Sequence, residues 1–286
     1  MKKLDLIDMH THTCFSDGEL TPNELLIKAE QEGIKTLAIT DHDTLLGVQN
    51  ITTTLTNIEL INGIEITIKV PSGTMHILGY DIDIWNNQLN KKVQEFHTRS
   101  IYSVMGIICQ LKKDYNISFS SQEIQEIINT KGNIGRPDIA RLLIKYGYVK
   151  DIYEAFDKYL IDAYAKCGAI AKGIDFEECS KLIHDANGLV VLAHPISLKQ
   201  KGEELEKTIE YLVKNGLDGI EVFHSSHSPE NIKEYLHYAE KYNLLISGGS
   251  DFHGPNTKPD VFLGRGKENI KIKQLTLLDE INKRKK

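Results

Sequence analysis

The sequence predicts an α/β fold with the rhythm of a barrel, broken once by a helical insertion. Several short apolar runs, of the kind a buried parallel strand shows, stop abruptly at histidines and acids. Helical segments alternate with those runs towards both ends of the chain, the pattern of strands wound with covering helices. Between about Trp85 and Tyr164 the apolar spacing becomes helical throughout and no strand-ending histidine occurs. Residues 85–164 are therefore expected to form a helical cap domain over a barrel domain built from 1–84 and 165–286.

Taken in order, Leu4 to Met9 reads as the first strand, and strand alternation puts His10 and His12 on one side of its extension. The turn Ser16-Asp17-Gly18 hands a carboxylate to the same end. Thr21-Pro22-Asn23-Glu24 is a capping-box pattern opening a helix whose apolar residues Leu25, Leu26 and Ala29 lead to a stop at Gly33. Ile34 to Thr40 is the second strand, with Asp41-His42-Asp43 as its polar end. From Ile58 to Val70 the alternation of Ile64, Ile66, Ile68 and Val70 places Glu65 on the opposite face. Pro71-Ser72-Gly73 then turns the chain into a strand from Met75 to Tyr80 that carries His76.

Within the insertion the spacing predicts helices near Leu89 to Asp114, Ser121 to Asn129, Arg136 to Tyr146 and Ile152 to Leu160. After a helix from Phe176 to Ala186 the alternation resumes. Strands at Leu189 to Ala193, Gly216 to Phe223 and Leu244 to Gly248 are separated by helices near Glu203 to Asn215 and Pro229 to Tyr242. His194 ends one of these strands, and Asp251 and His253 follow another. Lys283 to Lys286 reads as a solvated tail, and no internal repeat or low-complexity segment interrupts the chain.

Composition excludes several classes of function. With 34 basic against 40 acidic residues, a formal net charge of -6, the chain lacks the broad basic surface that duplex nucleic acid requires. A local metal cluster could still draw in a short or single-stranded substrate. Cys14, Cys109, Cys167 and Cys179 lie far apart with no C-x-x-C pair, the usage of a reducing cytoplasm. Asp5 and Asp8 interrupt any signal-peptide core, and no apolar run approaches the ~20 residues of a membrane span. The expectation is a cytoplasmic enzyme with no membrane association and no evident obligate protein partner.

His10-x-His12 alone is weak evidence, and its company decides. His10, His12, His42, His76, His194 and His253, with Asp17, Glu65 and Asp251, all fall on predicted strands or at their ends. Were they merely structural, nine polar groups would each need a separate buried partner. Imidazoles and carboxylates delivered together by several strand ends are how metal sites are assembled.

The order of these motifs resembles the PHP (polymerase and histidinol phosphatase) family of metal-dependent phosphoesterases. The matching segments are His10-Thr11-His12, Ser16-Asp17-Gly18, Thr40-Asp41-His42-Asp43, Gly63-Ile64-Glu65, His76, Ala193-His194-Pro195 and Gly249-Ser250-Asp251-Phe252-His253. Gly135-Arg136-Pro137 is similar to the stand-alone enzymes that remove the 3′-phosphate of nucleoside 3′,5′-bisphosphates or trim short RNA from the 5′ end. The resemblance implies a distorted (β/α)7 barrel with three divalent ions, manganese, iron or zinc. It implies that His10, His12, Glu65 and Asp251 hold the first ion, Glu65, His76 and His194 the second, and Asp17, His42 and His253 the third. Asp17, His194, Asp251 and His253 are read as the catalytic members of this set.

Three carboxylates against three divalent ions leave a site of about +3, which attracts a phosphate. Hydroxide activated by the ions would attack phosphorus in line. The expected substrate is a nucleoside 3′,5′-bisphosphate or a short oligonucleotide. The alternatives are histidinol-phosphate phosphatase and a metal-holding module that no longer turns over.

Arg136, at a predicted helix start, could fork onto a non-reacting phosphate. Arg99 and His227 are further candidates for contact with substrate, and His227 or Asp43 for a proton donor. Relatives commonly carry histidine where Asp138 stands. Asp8 has the parity to orient the His10 ring, while His224 and His227 are expected to support the site from behind. Cys14 reads as a small buried side chain, and core packing is the default for Trp85 and the tyrosines.

Overall fold

In the computed structural model, which describes residues 6–53, 57–167 and 173–285, seven strands form one sheet in chain order. The first is β1 (Leu6–Asp8), so Leu4 and Asp5, where the sequence begins that strand, lie outside the described residues. Helix α1 (Pro22–Glu32) follows, then β2 (Ile34–Ile39), the short α2 (Leu46–Gln49), β3 (Glu59–Ile68) and β4 (Met75–Tyr80). The helical segment comprises α3 (Asn87–Tyr115), α4 (Ser121–Thr130), α5 (Arg136–Lys145), α6 (Ile152–Ala155), a wide turn over Phe156–Leu160, and α7 (Ile161–Lys166). Then come α8 (Phe176–Asp185), β5 (Leu189–Leu192), α9 (Glu203–Lys214), β6 (Gly219–His224), α10 (Pro229–Lys241), β7 (Leu245–Gly249) and α11 (Thr276–Arg284).

The α1 boundaries follow the local chemistry. Thr21 and Glu24 form the reciprocal cap, and Gly33 adopts φ 84°, a left-handed conformation that glycine takes without steric cost. β1, β2 and β3 pair in parallel, as do β5, β6 and β7, while β4 runs antiparallel to both of its neighbours. The two ends of the sheet meet. Met9 N–H donates to the Gly248 carbonyl at 3.2 Å and Asp251 N–H to that of His10 at 2.9 Å, with a parallel bridge between Thr11 and Phe252. The result is a nearly closed seven-stranded barrel, distorted by the one reversed strand.

Alternation along the strands sorts the apolar residues into two layers. Ile64, Ile66, Ile77, Val190 and Ile220 point outwards into the core under the helices. Ile7, Met9, Ile61, Leu78, Tyr80, Leu189 and Val191 fill one end of the barrel interior. That end is plugged by Ile270, Ile272, Leu275, Leu277 and Ile281. Lys283, Arg284 and Lys285 are exposed, as a solvated ending should be, and Lys286 lies outside the described residues; what precedes them is α11, an amphipathic helix with Ile281 fully buried. Trp85 departs from its expected core packing and is 67% exposed.

The first part of α3 packs on the barrel through Leu89, Val93 and Phe96. From Val104 onwards it joins α5 and the segment 155–163 around a second apolar core. The helical segment therefore holds together on its own packing while being rooted in the barrel by the same continuous helix.

Candidate metal centre

At the open end of the barrel the strands deliver polar side chains into a common interior. β1 leads to His10, His12 and Asp17, β2 to His42, β5 to His194, β6 to Glu221 and His224, and β7 to Asp251 and His253. His76 lies near the beginning of its strand, and the reversal of β4 brings that beginning to the same mouth. Glu65, fully buried on β3, is the hub.

One Glu65 oxygen, Oε1, lies 2.8 Å from His194 Nε2 and 2.9 Å from His76 Nδ1. The other, Oε2, lies 3.1 Å from His42 Nδ1, 3.2 Å from His10 Nε2 and 3.3 Å from His12 Nε2. Asp17 approaches His253 Nε2 at 3.2 Å, His12 Nδ1 at 3.8 Å and His42 Nε2 at 4.0 Å. Asp251 Oδ1 is 3.3 Å from both His12 Nε2 and His253 Nδ1. All nine residues singled out in the sequence therefore converge on one pocket.

Donor atoms close enough to share an ion fall into overlapping groups: His12, Asp17, His42 and His253; His10, His12 and Glu65; His42, Glu65 and His76; and His10, His224 and Asp251. Two differences from the expected grouping stand out. His224, foreseen only as support, reaches Asp251 Oδ2 at 3.4 Å and joins a donor group. His194 contacts Glu65 but falls outside those groups.

The electrostatics fit cations. Burial pushes Glu65 and Asp17 towards protonation, yet the surrounding imidazoles outweigh it and hold both carboxyls well below the usual range. Asp251 is likewise held low against burial, by Lys258 and His253. Burial would lower His12, but Asp251 and Glu65 keep its ring up at about 9. Meanwhile both ring nitrogens of His12, Nδ1 of His76 and Nε2 of His224 are buried without a hydrogen-bond partner among the described residues. Nitrogens about 3 Å from carboxylates yet misaligned for hydrogen bonding have the arrangement of ligands around shared ions.

A supporting layer fixes these groups, and most of it escaped sequence reasoning. Fully buried Glu221 accepts from His10 Nδ1–H at 2.9 Å and from the His194 backbone N–H at 2.7 Å. That is the role expected of Asp8. Asp8 instead accepts from Ser250 N–H and hydroxyl at 2.8 and 2.6 Å and from Gly264 N–H at 2.7 Å, clamping the ends of β1 and β7 together. Asp41 accepts from Thr13 N–H and hydroxyl and from the Ser16 hydroxyl, holding the loop that carries Asp17. Asp43 is occupied by the Thr67 N–H and hydroxyl, each at 2.9 Å. The signal for Glu221 was an acid inside the apolar run Ile220-Glu221-Val222.

Backbone strain gathers at the same place. Asp43, His194 and Asp251 all have positive φ, at 52°, 21° and 59°. Gly249 permits the tight packing, since a Cβ there would lie 2.3 Å from the His10 nitrogen.

The open mouth leads into a cleft of about 750 Å³ bounded by Asp17, His42, His76, Asn133, Arg136 and Tyr164 among others. Arg136, the first residue of α5, stacks its guanidinium over the rings of Tyr164 and Phe156, at 4.7 and 5.3 Å. The other substrate candidates lie elsewhere. Arg99 does not border this cleft itself, and its Nη1 donates to the carbonyl of Gly173, which packs on the Thr67–Lys69 backbone at the cleft's edge, at 3.3 Å. His227 is buried behind His224, its Nδ1 on the Val222 carbonyl at 2.8 Å and its ring against Tyr235. Cys14 joins no donor group, and burial raises its thiol.

Comparison with known proteins agrees with this geometry. The PHP domain family model matches residues 8–245. A 5′-3′ exoribonuclease of Escherichia coli is 30% identical over 265 residues, 91% of this chain and 88% of its own. A 3′,5′-nucleoside bisphosphate phosphatase of Chromobacterium violaceum is 29% identical over 252 residues, 87% of each chain. Among solved structures, a protein of Bifidobacterium adolescentis described as a metal-dependent phosphoesterase superposes with a TM-score of 0.79 at 28% identity, covering 92% of both chains. Among the described residues no helix is long and apolar enough to cross a membrane.

Proposed function

The chain belongs to the PHP domain family and is a metal-dependent phosphoesterase, and from that premise we propose that it hydrolyses the 3′-phosphoester of a nucleotide that also carries a 5′-phosphate. The favoured substrate is a nucleoside 3′,5′-bisphosphate, with short 5′-phosphorylated RNA as the second. The observation that carries this reading is the pairing of a buried donor cluster around Glu65 with one guanidinium, Arg136, bordering the same cleft. The names of the two sequence relatives support a nucleotide over histidinol phosphate.

In this reading the cluster would hold three ions: His10, His12, Glu65 and Asp251 would bind one, Glu65, His76 and His194 a second, and Asp17, His42 and His253 the third. A set rich in nitrogen with shared carboxylates suits manganese, iron or zinc. When bound, the ions supply the Lewis acidity that stabilises phosphoryl charge and lowers the pKa of water.

The chain's own residues do the rest. Arg136, oriented beforehand by its two aromatic neighbours, grips the non-reacting 5′-phosphate and so fixes the distance from that phosphate to the cluster. Glu221 presents the Nε2 of His10 to the interior by holding its other nitrogen. The helical segment borders the cleft with Arg136, Phe156 and Tyr164.

Phosphate release from metal-loaded protein tests the proposal, with adenosine 3′,5′-bisphosphate and histidinol phosphate compared side by side. Activity on histidinol phosphate alone would overturn the substrate choice. Phosphate release unchanged in Asp17→Ala and His194→Ala would return the protein to a metal-holding scaffold.

A further inference from the structure

The barrel mouth opens in a second direction. Asp251, Ser226, Lys258, Val261, Tyr153 and Ile161 border a second cleft of about 630 Å³. Phe156 belongs to both clefts and stands as the ridge between them. It begins the wide turn after α6, where Ile161 N–H reaches back five residues to the Phe156 carbonyl, a local widening often found at functional sites. The clefts also share the cluster itself. Asp17 lies on the first side and Asp251 on the second, with His253 touching both at 3.2 and 3.3 Å.

Resting on the nucleotide reading above, we propose that the second cleft receives the nucleoside on the 3′ side of the scissile phosphate, so that the site takes short RNA as well as a bisphosphonucleoside. The chemistry requires such an exit. In either substrate water adds to phosphorus, the P–O3′ bond breaks, and its electron pair with a proton goes to the 3′-oxygen. With a bisphosphonucleoside the product is inorganic phosphate, and the first cleft holds everything. With RNA the same phosphorus carries a further nucleoside through its 5′-oxygen, which leaves as the new 5′-phosphate end. That nucleoside cannot share the space between the cluster and Arg136, so it needs the other opening.

The walls suit a base and a ribose more than a free phosphate. Lys258 is already paired with Asp251 at 2.5 Å and Lys267 with Asp260 at 2.6 Å, so neither cation is spare. Tyr153 is 63% exposed and Ile161 58%, and both present apolar surface to this largely apolar cleft. Stacking of a base on such a ring tolerates any sequence.

The test compares kcat/KM for a 5′-phosphorylated trinucleotide and for adenosine 3′,5′-bisphosphate in metal-loaded wild type, Tyr153→Ala, Tyr153→Trp and Ser226→Trp. The alanine variant should lose about tenfold on the trinucleotide. Tyr153→Trp should restore it, Ser226→Trp, which fills the cleft, should abolish it, and the bisphosphate rate should hold within about twofold throughout. Equal losses on both substrates, or none on the trinucleotide, would overturn the proposal. A wild type that hydrolyses the bisphosphate and not the trinucleotide would overturn it while leaving the nucleotide reading intact. A wild type active on neither nucleotide removes both.

Discussion

Replacing Glu221 by glutamine is the sharpest probe of how the site is built, because it changes no volume and removes one charge. The two carboxylate oxygens both accept: Oε1 from His10 Nδ1–H at 2.9 Å and Oε2 from the His194 backbone N–H at 2.7 Å. An amide offers one oxygen and one NH₂, so one of those donors must face another donor. If the amide turns its NH₂ to His10, the ring can pair only by moving its proton to Nε2, the nitrogen that faces Glu65 at 3.2 Å. That nitrogen is then lost as a ligand. If the NH₂ turns to the backbone instead, the turn bearing His194 must shift. Either way a buried hydrogen bond to a charged group is lost, worth about 1.5–3 kcal/mol, or roughly 10- to 100-fold in metal affinity. A competitive titration with a chromophoric chelator measures the affinity directly, and phosphate release at limiting metal should fall in parallel. Excess metal should restore much of the rate, since no group touching substrate has been changed. Wild-type affinity together with wild-type activity in Glu221→Gln would refute the argument.

Arg136→Ala is expected to lower kcat/KM on a nucleoside 3′,5′-bisphosphate by about 10- to 100-fold, with Arg136→Lys close to it, because an ammonium supplies neither the fork nor the stacking on Tyr164. On a 3′-mononucleotide, which has no second phosphate, both variants should match wild type. In metal-stripped protein the His12 ring is held at about 9 against an ordinary 6.5, so its contribution to stability is full below about 6.5 and lost as the pH rises through about 9. The thermal midpoint of the stripped protein should fall across that range and that of the loaded protein should not, while metal uptake at pH 7 should release protons in calorimetry run in buffers of different ionisation enthalpy. Ile281→Ala, at the plugged end of the barrel, should cost about 2–5 kcal/mol in urea unfolding and leave kcat unchanged.

What the sequence revealed and what it hid follow from the range of the interactions involved. The seven strands and the cap of α1 are legible because alternation and capping act over a few residues, as Ile64 and Ile66 against Glu65 or Thr21 with Glu24 illustrate. The nine donor residues were legible because polar groups at the ends of apolar strands are costly unless they are used. Glu221 was not picked out, since its partners His10 and His194 lie 211 and 27 residues away. Asp8 was given the wrong task for the same reason: parity along β1 says which way it points but cannot show that Ser250 and Gly264 come to meet it. The C-terminal helix was masked by its basic ending, although Leu277, Leu278 and Ile281 already have helical spacing. Arg99 illustrates the limit from the other side: residue type offers it as a phosphate ligand, but only the fold shows that one of its nitrogens donates to the Gly173 carbonyl.

Asp138, at a position where the resemblance leads one to expect histidine, is built firmly into the structure around it. Its buried carboxylate meets Lys131 Nζ at 2.7 Å and Arg141 at 3.0 Å, and it caps its own helix through Gly135 N–H at 2.9 Å. Those two cations do not stop there. Lys131 donates to the Ser16 carbonyl at 2.6 Å and Arg141 to that of Asp17 at 2.5 Å. The acid is thus the counter-charge of a brace running from the first turn of α5, beside Arg136, to the loop that places Asp17 at the cluster. A histidine at this position could not accept from the helix N–H and balance two cations together, so the aspartate and its basic partners make sense only as a set. The brace also gives the helical segment a second tie to the barrel besides α3, and it does so where the distance between Arg136 and the donor cluster is set.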